Sequence, residues 1–133
     1  MVDTSALYAY FLGDDEDHDK VMRAIRGLLD GCRPLVTAAY VVVETVALLQ
    51  RRIGLAATRD LAEHVLPLLS VEWVSETLHR KGIDRLCRED RRDLSLVDCV
   101  SFDFMRAQGL REALALDADF ASAGYRLLPT FGR

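Results

Sequence analysis

The stretch DLSLVDCVSFDFM, from Asp93 to Met105, decides the fold of this chain. Its apolar residues recur at close to helical spacing, which predicts a helix that packs against a core along much of its length. Asp98 lies inside this pattern, and none of the residues three or four positions away from it is cationic. A buried carboxylate without such a partner either takes up a proton or binds a cation. The alternative is a capping box, in which Ser95 and Asp98 together open the helix.

The length and composition of the chain limit the classes of protein to which it can belong. The 133 residues are 50% apolar with three prolines, so we expect one domain, residues 1–133, with a core of its own. No apolar run reaches the ~18 residues of a membrane span, and no secretory signal is visible, so we expect a cytoplasmic protein without membrane contact. The three cysteines and three histidines form no C-x-x-C or H-E-x-x-H pattern, which argues against disulfides and a thiolate zinc site. With a formal net charge of −4, binding of nucleic acid would need a local basic patch or bound metal ions.

Short apolar segments that suit strands alternate with segments that suit helices. This alternation predicts an α/β domain with a central, mainly parallel sheet of about five short strands flanked by helices. The predicted strands are Val2, Leu35–Thr37, Val71–Val74, Glu112–Leu116 and Tyr125–Leu128. A helix is expected over Leu55–Leu69, and Trp73 is expected to pack in the interior.

Three more acids occupy positions that suit a functional site. Asp3 and Asp117 each follow directly on a predicted strand, and sites in open α/β sheets form outside the carboxyl ends of the strands. Glu44 lies on an apolar face of the third predicted helix, again without a neighbouring cation. Each acid also has a purely structural interpretation. Asp3 and Asp117 would cap the helices that follow them, and Glu44 would reach solvent from a partly buried helix.

Acids at two strand ends and on two helices that pack against the same sheet can converge on one edge of it. Converging carboxylates repel one another unless a cation is present, and oxygen ligands with water-filled gaps suit Mg²⁺ or Mn²⁺. Such a site performs phosphoryl-transfer chemistry without a nucleophilic Ser, Cys or His, and four acids can serve one metal ion or two. The residues therefore predict a metal-dependent hydrolase of phosphodiester bonds.

Basic residues offer candidate contacts to a nucleic acid. Arg51 and Arg52 follow Glu44 by two helical turns on roughly the same side, and they suit either a distant ion pair or a substrate phosphate. A second basic set precedes the central stretch and is mixed with acids. We interpret it mainly as a solvated face, with contact to RNA as the alternative. This set consists of Arg80, Lys81, Arg85, Arg88, Arg91 and Arg92.

Four sequence blocks together resemble PIN-domain ribonucleases, specifically the VapC-type toxins of bacterial toxin–antitoxin pairs. The blocks are VDTSAL at the start, the isolated Glu of the third helix, DLSLVDCVSF, and LALDADF near the end. The resemblance covers nearly the whole chain and implies a PIN-like fold and a Mg²⁺- or Mn²⁺-dependent endoribonuclease. It implies catalytic and metal-binding roles for Asp3, Glu44, Asp98 and Asp117, with Asp119 as an additional acid near the site. It also implies a homodimer, neutralised by a small VapB-type antitoxin that lays a segment across the acidic pocket.

The sequence departs from the family pattern at one position, and two other functions compete with the one that the resemblance implies. Many relatives carry a Thr two residues before the fourth acid, whereas this chain has Ala115, so hydroxyl support there must come from Thr4, Ser5 or water. One competing function is a catalytically inactive PIN-fold module that binds a protein partner or RNA. The other is a phospho-acceptor receiver domain, which needs a Lys late in the chain, and no Lys follows Lys81.

Overall fold

A computed structural model describes residues 1–130 of the chain. Its α-helices are α1 (Thr4–Phe11), α2 (His18–Asp30), α3 (Ala39–Arg52), α4 (Leu55–Asp60), α5 (Glu76–Glu89), α6 (Leu96–Gln108) and α7 (Asp119–Ser122). Its strands are β1 (Leu35–Ala38), β2 (Leu69–Glu72), β3 (Glu112–Leu114) and β4 (Arg126–Leu128). No helix in this part of the chain is long and apolar enough to cross a membrane.

Val2 joins two parallel strand pairs into one sheet. Strand β1 pairs with β2 and β3 pairs with β4, both in parallel. Between them, Val2 forms a parallel bridge with Leu114, and its N–H donates to the carbonyl oxygen of Val36 at 2.8 Å. The order across the sheet is therefore β2, β1, Val2, β3, β4. The predicted parallel α/β sheet is confirmed, with a single residue serving as its central strand.

Helices cover both faces of this sheet. Leu114 belongs to a core formed with α1, α2 and α3, whereas its neighbours Ala113 and Ala115 belong to a second core formed with α6. The two cores alternate along the strand because successive side chains point to opposite faces. The parallel strands therefore present their carboxyl ends at one edge, where α1, α3 and α7 begin.

The central helix α6 is present as predicted. It opens with a capping box. The Ser95 hydroxyl oxygen accepts from the N–H of Asp98 at 3.0 Å, and the Asp98 carboxylate accepts from both the N–H and the hydroxyl of Ser95. The helix ends at Gly109, whose φ of +67° lies in the left-handed region that glycine adopts most easily. The capping interpretation of Asp98 is thus confirmed.

The prediction for residues 55–74 is wrong in three respects. Strand β2 is Leu69–Glu72 rather than Val71–Val74, and Trp73 lies beyond it with 86% of its surface exposed instead of packing in the interior. Leu69 and Val71 lie on the same face, so alternation alone could not show where the strand began. The predicted helix over Leu55–Leu69 is α-helical only to Asp60. It continues as a π turn and a short 3₁₀ turn that contains Pro67, whose missing N–H prevents a regular α-helical ending.

Candidate active site

Asp3 begins the candidate site at the end of the one-residue central strand. It caps α1, and its carboxylate accepts from the N–H and the hydroxyl of Ser5 at 3.0 and 2.7 Å. Only 4% of Asp3 is exposed, and burial raises the pKa of its carboxyl to about 6. The hydrogen bonds from Ser5 oppose this rise, and the nearby Asp98 adds to it. Asp3 is thus both a helix cap and a buried carboxylate that makes no ion pair within the described residues.

Ser5 links the first acid to the fourth. Its hydroxyl donates to Asp3 and accepts from the N–H of Leu116 at 3.0 Å. Leu116 directly precedes Asp117, so one hydroxyl connects the start of α1 to the end of β3. Of the predicted sources of hydroxyl support, Thr4, Ser5 and water, Ser5 is thus seen to contact the residue just before Asp117.

Glu44 approaches the same edge from α3, which begins directly after β1. Its side chain is half-buried, so it lies between the two interpretations of this residue, an acid buried on an apolar face and an acid that reaches solvent. Burial raises the pKa of Glu44, interaction with the Thr4 side chain lowers it, and repulsion from Asp98 raises it further. These interactions show that Glu44 lies near the start of α1, at Thr4, and near the start of α6, at Asp98.

Asp98 is the electrostatic centre of the group. Burial raises its pKa, the hydrogen bonds from Ser95 lower it, and repulsion from Asp117 and Asp119 raises it again. Since Asp98 also acts on Asp3 and Glu44, the structure brings the four predicted acids together around it. Folding places side chains that are 95 positions apart in sequence within electrostatic reach of one another.

Asp117 and Asp119 lie at the turn after β3. The Asp117 carboxylate accepts from the N–H of Asp119 at 2.9 Å, but the N-cap of α7 is Ala118, so the prediction that Asp117 caps this helix is wrong. Asp119 itself is engaged by a cation, because its carboxylate accepts from the Arg91 guanidinium at 3.0 Å. Of the five acids, only Asp119 forms a salt bridge within the described residues.

The candidate RNA-binding cations differ in whether they form salt bridges. Arg51 and Arg52 are exposed at the last turn of α3 and form no salt bridge with any described residue. Three arginines of the second basic set are paired with acids: Arg80 with Glu76, Arg85 with Asp103, and Arg91 with Asp93 and Asp119. Every residue of that set is exposed except Arg85, which is partly buried, so the interpretation as mainly a solvated face agrees with the structure. The contact between Arg91 and the acidic site could not be read from the sequence, because it joins residues 28 positions apart.

The donors of this site suit a hard divalent cation. Within residues 1–130, no three Asp, Glu, His or Cys side chains are already arranged to hold one metal ion directly. Mg²⁺ usually keeps several waters and takes only one or two carboxylates as direct ligands, so a looser group is compatible with it. Carboxylate oxygens are also the donors that Mg²⁺ and Mn²⁺ prefer. Carboxylates that lie close together without salt bridges repel one another, and a bound cation would reduce this repulsion.

These features define a class of protein. The PIN domain family matches residues 1–124, and the chain belongs to that family. The chain is 35% identical over 128 residues to the 23S rRNA-specific endonuclease VapC20 of Mycobacterium tuberculosis, from strains CDC 1551 / Oshkosh and H37Rv, with 94% of each chain covered. The crystal structure of M. tuberculosis VapC20, described as a sarcin-ricin loop cleaving toxin, matches with a TM-score of 0.80 at 35% identity. That match covers 93% of this chain and 94% of the other. The resemblance to VapC-type PIN domains is confirmed.

Replacing Asp3 by Asn is expected to stabilise the metal-free protein at pH 7.5. The pKa of Asp3 is raised to about 6, so its ionisation in the folded state costs stability as the pH rises from about 4 to about 6. Asn can still accept from Ser5 but carries no charge, so we expect a gain on the order of 2 kcal/mol at pH 7.5 and almost none at pH 4. Urea unfolding with EDTA at both pH values measures the difference. A variant that is less stable than the native chain at pH 7.5 would contradict the burial argument.

Proposed function

We propose that this protein is a VapC-type toxin, an endoribonuclease that hydrolyses RNA phosphodiester bonds with Mg²⁺ or Mn²⁺. The metal would be held by Asp3, Glu44, Asp98 and Asp117. The observation that carries the proposal is the convergence of these acids on one edge of the sheet, where each is without a salt bridge inside the described residues. Membership of the PIN family and the relationship to an endonuclease support the same chemistry.

The residues of the chain prepare this site before any substrate arrives. A bound divalent ion supplies positive charge that stabilises the phosphodiester transition state and activates water. Ser5 and Ser95 hold the carboxylates of Asp3 and Asp98 in fixed orientations through hydrogen bonds of 2.7–3.0 Å. Because these contacts are formed within the chain, little reorganisation is needed when the reaction begins. Asp3 is 4% exposed, and Glu44, Asp98 and Asp117 are partly buried, so the carboxylates are only partly in contact with water.

The relatives support a proposal for the substrate class. VapC20 is described as specific for 23S rRNA, and its solved structure as that of a toxin cleaving the sarcin-ricin loop. The identity of 35% extends over 94% of both chains, which supports the same class of RNA as the substrate here. Arg51 and Arg52 remain candidate phosphate contacts, since they lie roughly 10–12 Å from Glu44 along α3.

A cleavage assay on natural RNA tests the substrate proposal. Purified protein with Mg²⁺ is incubated with ribosomes, with isolated 23S rRNA and with a messenger RNA of similar length, and the new ends are mapped by primer extension. We expect one dominant cut in 23S rRNA and little cleavage of the messenger. Cuts spread evenly over both RNAs would contradict specificity for ribosomal RNA while still supporting a ribonuclease.

The proposed partners are a second copy of the chain and a VapB-type antitoxin, with the cytoplasm as the place of action. Large apolar side chains on the surface support a protein interface. Trp73 is 86% exposed and Val43 is 68% exposed. Light scattering on the purified protein should give twice the chain mass of 14.9 kDa. A mass equal to one chain at micromolar concentration would contradict the homodimer.

A further inference from the structure

Arg91 is held at the edge of the acidic site by two carboxylates. Its guanidinium donates to Asp93 through Nε at 3.2 Å and Nη2 at 2.8 Å, and to Asp119 through Nη2 at 3.0 Å. The side chain of Asp119 is only 19% exposed and acts electrostatically on Asp98. Arg91 is therefore a cation one carboxylate away from the centre of the proposed site.

Part of this guanidinium is still available for a ligand. A guanidinium carries five N–H donors, and Nη1 of Arg91, with two of them, donates to no described residue. The side chain is 41% exposed, so an incoming group can reach it. Arg91 also lines a cavity of about 80 Å³ next to Asp119, with Ser122, Arg85 and Glu89 among its walls. The guanidinium therefore borders open space whose walls carry two cations, Arg85 and Arg91, and two carboxylates, Glu89 and Asp119.

The chemistry of an arginine in this place favours a phosphate. Arginine is always charged and binds phosphate through two parallel hydrogen bonds, whereas lysine acts as a point charge. The acids around Asp98 repel an approaching RNA backbone, so a fixed cation beside them lowers the cost of binding. Two carboxylates hold the guanidinium in advance, which reduces the freedom lost when substrate binds.

We propose that Arg91 binds an RNA phosphate next to the one that is cleaved, and that Asp93 and Asp119 position Arg91 for this contact. The inference rests on the proposed ribonuclease function and adds a substrate-binding residue to it. Asp119 then serves the site through Arg91 rather than as a metal ligand. In this arrangement Asp93 and Asp119 are positioning residues and do not touch the reacting atoms.

Kinetics of Arg91→Ala test the first part of the proposal. Loss of one charge-assisted contact is expected to lower kcat/KM about 10- to 100-fold, mainly through a higher KM. Arg91→Lys keeps the charge but not the two parallel hydrogen bonds. Its kcat/KM should therefore lie between that of Arg91→Ala and that of the native chain. Arg106→Ala removes the same charge from the exposed last turn of α6 and is the matched control, expected to behave like the native chain. Thermal unfolding of each variant shows whether it is folded.

RNA binding without cleavage gives a second readout. In an Asp98→Asn background with EDTA, binding of a labelled RNA oligonucleotide is followed by anisotropy over a series of salt concentrations. Arg91→Ala should reduce the slope of log Kd against log salt by roughly 1, and Arg106→Ala should leave it unchanged. This experiment reports on Arg91 even if the native chain cleaves no RNA. Equal slopes for the two variants would overturn the inference while cleavage by the native chain leaves the proposed function intact.

A double-mutant cycle tests the role of Asp119. If Asp119 acts through Arg91, Asp119→Asn raises KM, and adding it to Arg91→Ala causes no further loss. Calorimetric titration with Mn²⁺ should give a Kd within about threefold of the native value, because only a nearby charge is removed. A loss of Mn²⁺ affinity as large as that of Asp117→Asn would instead identify Asp119 as a metal ligand and overturn this part of the proposal.

Discussion

Asp98→Asn is expected to lower the rate of RNA cleavage by about 10³-fold or more, because metal coordination contributes several kcal/mol to the transition state and each 1.36 kcal/mol is tenfold in rate. Asp98 lies among the four acids: it raises the pKa of Asp3 and of Glu44, and Asp117 raises the pKa of Asp98. The substitution preserves shape, and the Asn oxygen can still accept from the N–H and hydroxyl of Ser95. The helix cap should survive. Activity and folding are therefore separable at this position.

The measurement is a time course on an RNA oligonucleotide with Mg²⁺, with EDTA, and with Mn²⁺ added back. The native chain should be active with either metal and inactive in EDTA. Asp90→Asn is the matched control, since Asp90 is exposed at the end of α5 with φ of +49°, a conformation that Asn also tolerates. Native-like cleavage by Asp98→Asn would contradict the assigned site. A native chain that binds RNA or a protein partner but cuts nothing would favour the inactive PIN-fold module.

Gly82→Val is expected to destabilise the fold by about 3 kcal/mol, the upper part of the range for overpacking. Gly82 is buried in α5, and a Cβ atom there would lie 2.5 Å from Cγ2 of Val100 and 3.3 Å from Cδ1 of Leu96 on α6. Val100 is fully buried, and its branched side chain has one strongly preferred rotamer in a helix, so it cannot turn away. Helices α5 and α6 must separate, and the first turn of α6 carries Asp98.

Gly27→Val provides the control for this substitution. Gly27 lies inside α2, is exposed, and has no atom within 4 Å of an added Cβ, so the change should be neutral or slightly stabilising. Urea unfolding of both variants gives the free energies, and the cleavage assay shows whether Gly82→Val also displaces Asp98. A Gly82→Val protein as stable as the native chain would mean that the two helices pack less closely than described.

The local parts of the fold were predictable because their causes are local. The spacing of apolar residues in Leu96–Met105, together with the Ser95 and Asp98 pair, defines the central helix and its cap within a few residues. The four candidate acids could be singled out because a charge on an apolar face, or directly after a strand, is unusual wherever it occurs. The extent of β2 and the exposure of Trp73 were not predictable, because pairing with Leu35 decides which residues form the strand.

By itself, the sequence determined the class of fold and the central helix, and it singled out the four candidate acids, since each rests on patterns that are visible within single segments of the chain. Only the tertiary structure decided that Val2 alone forms the middle of the sheet, that Ser5 supports the turn before Asp117, and that Arg91 is tied to Asp119. These contacts join residues 28 to 112 positions apart. No local pattern encodes such contacts, because they form only when the helices and strands pack together.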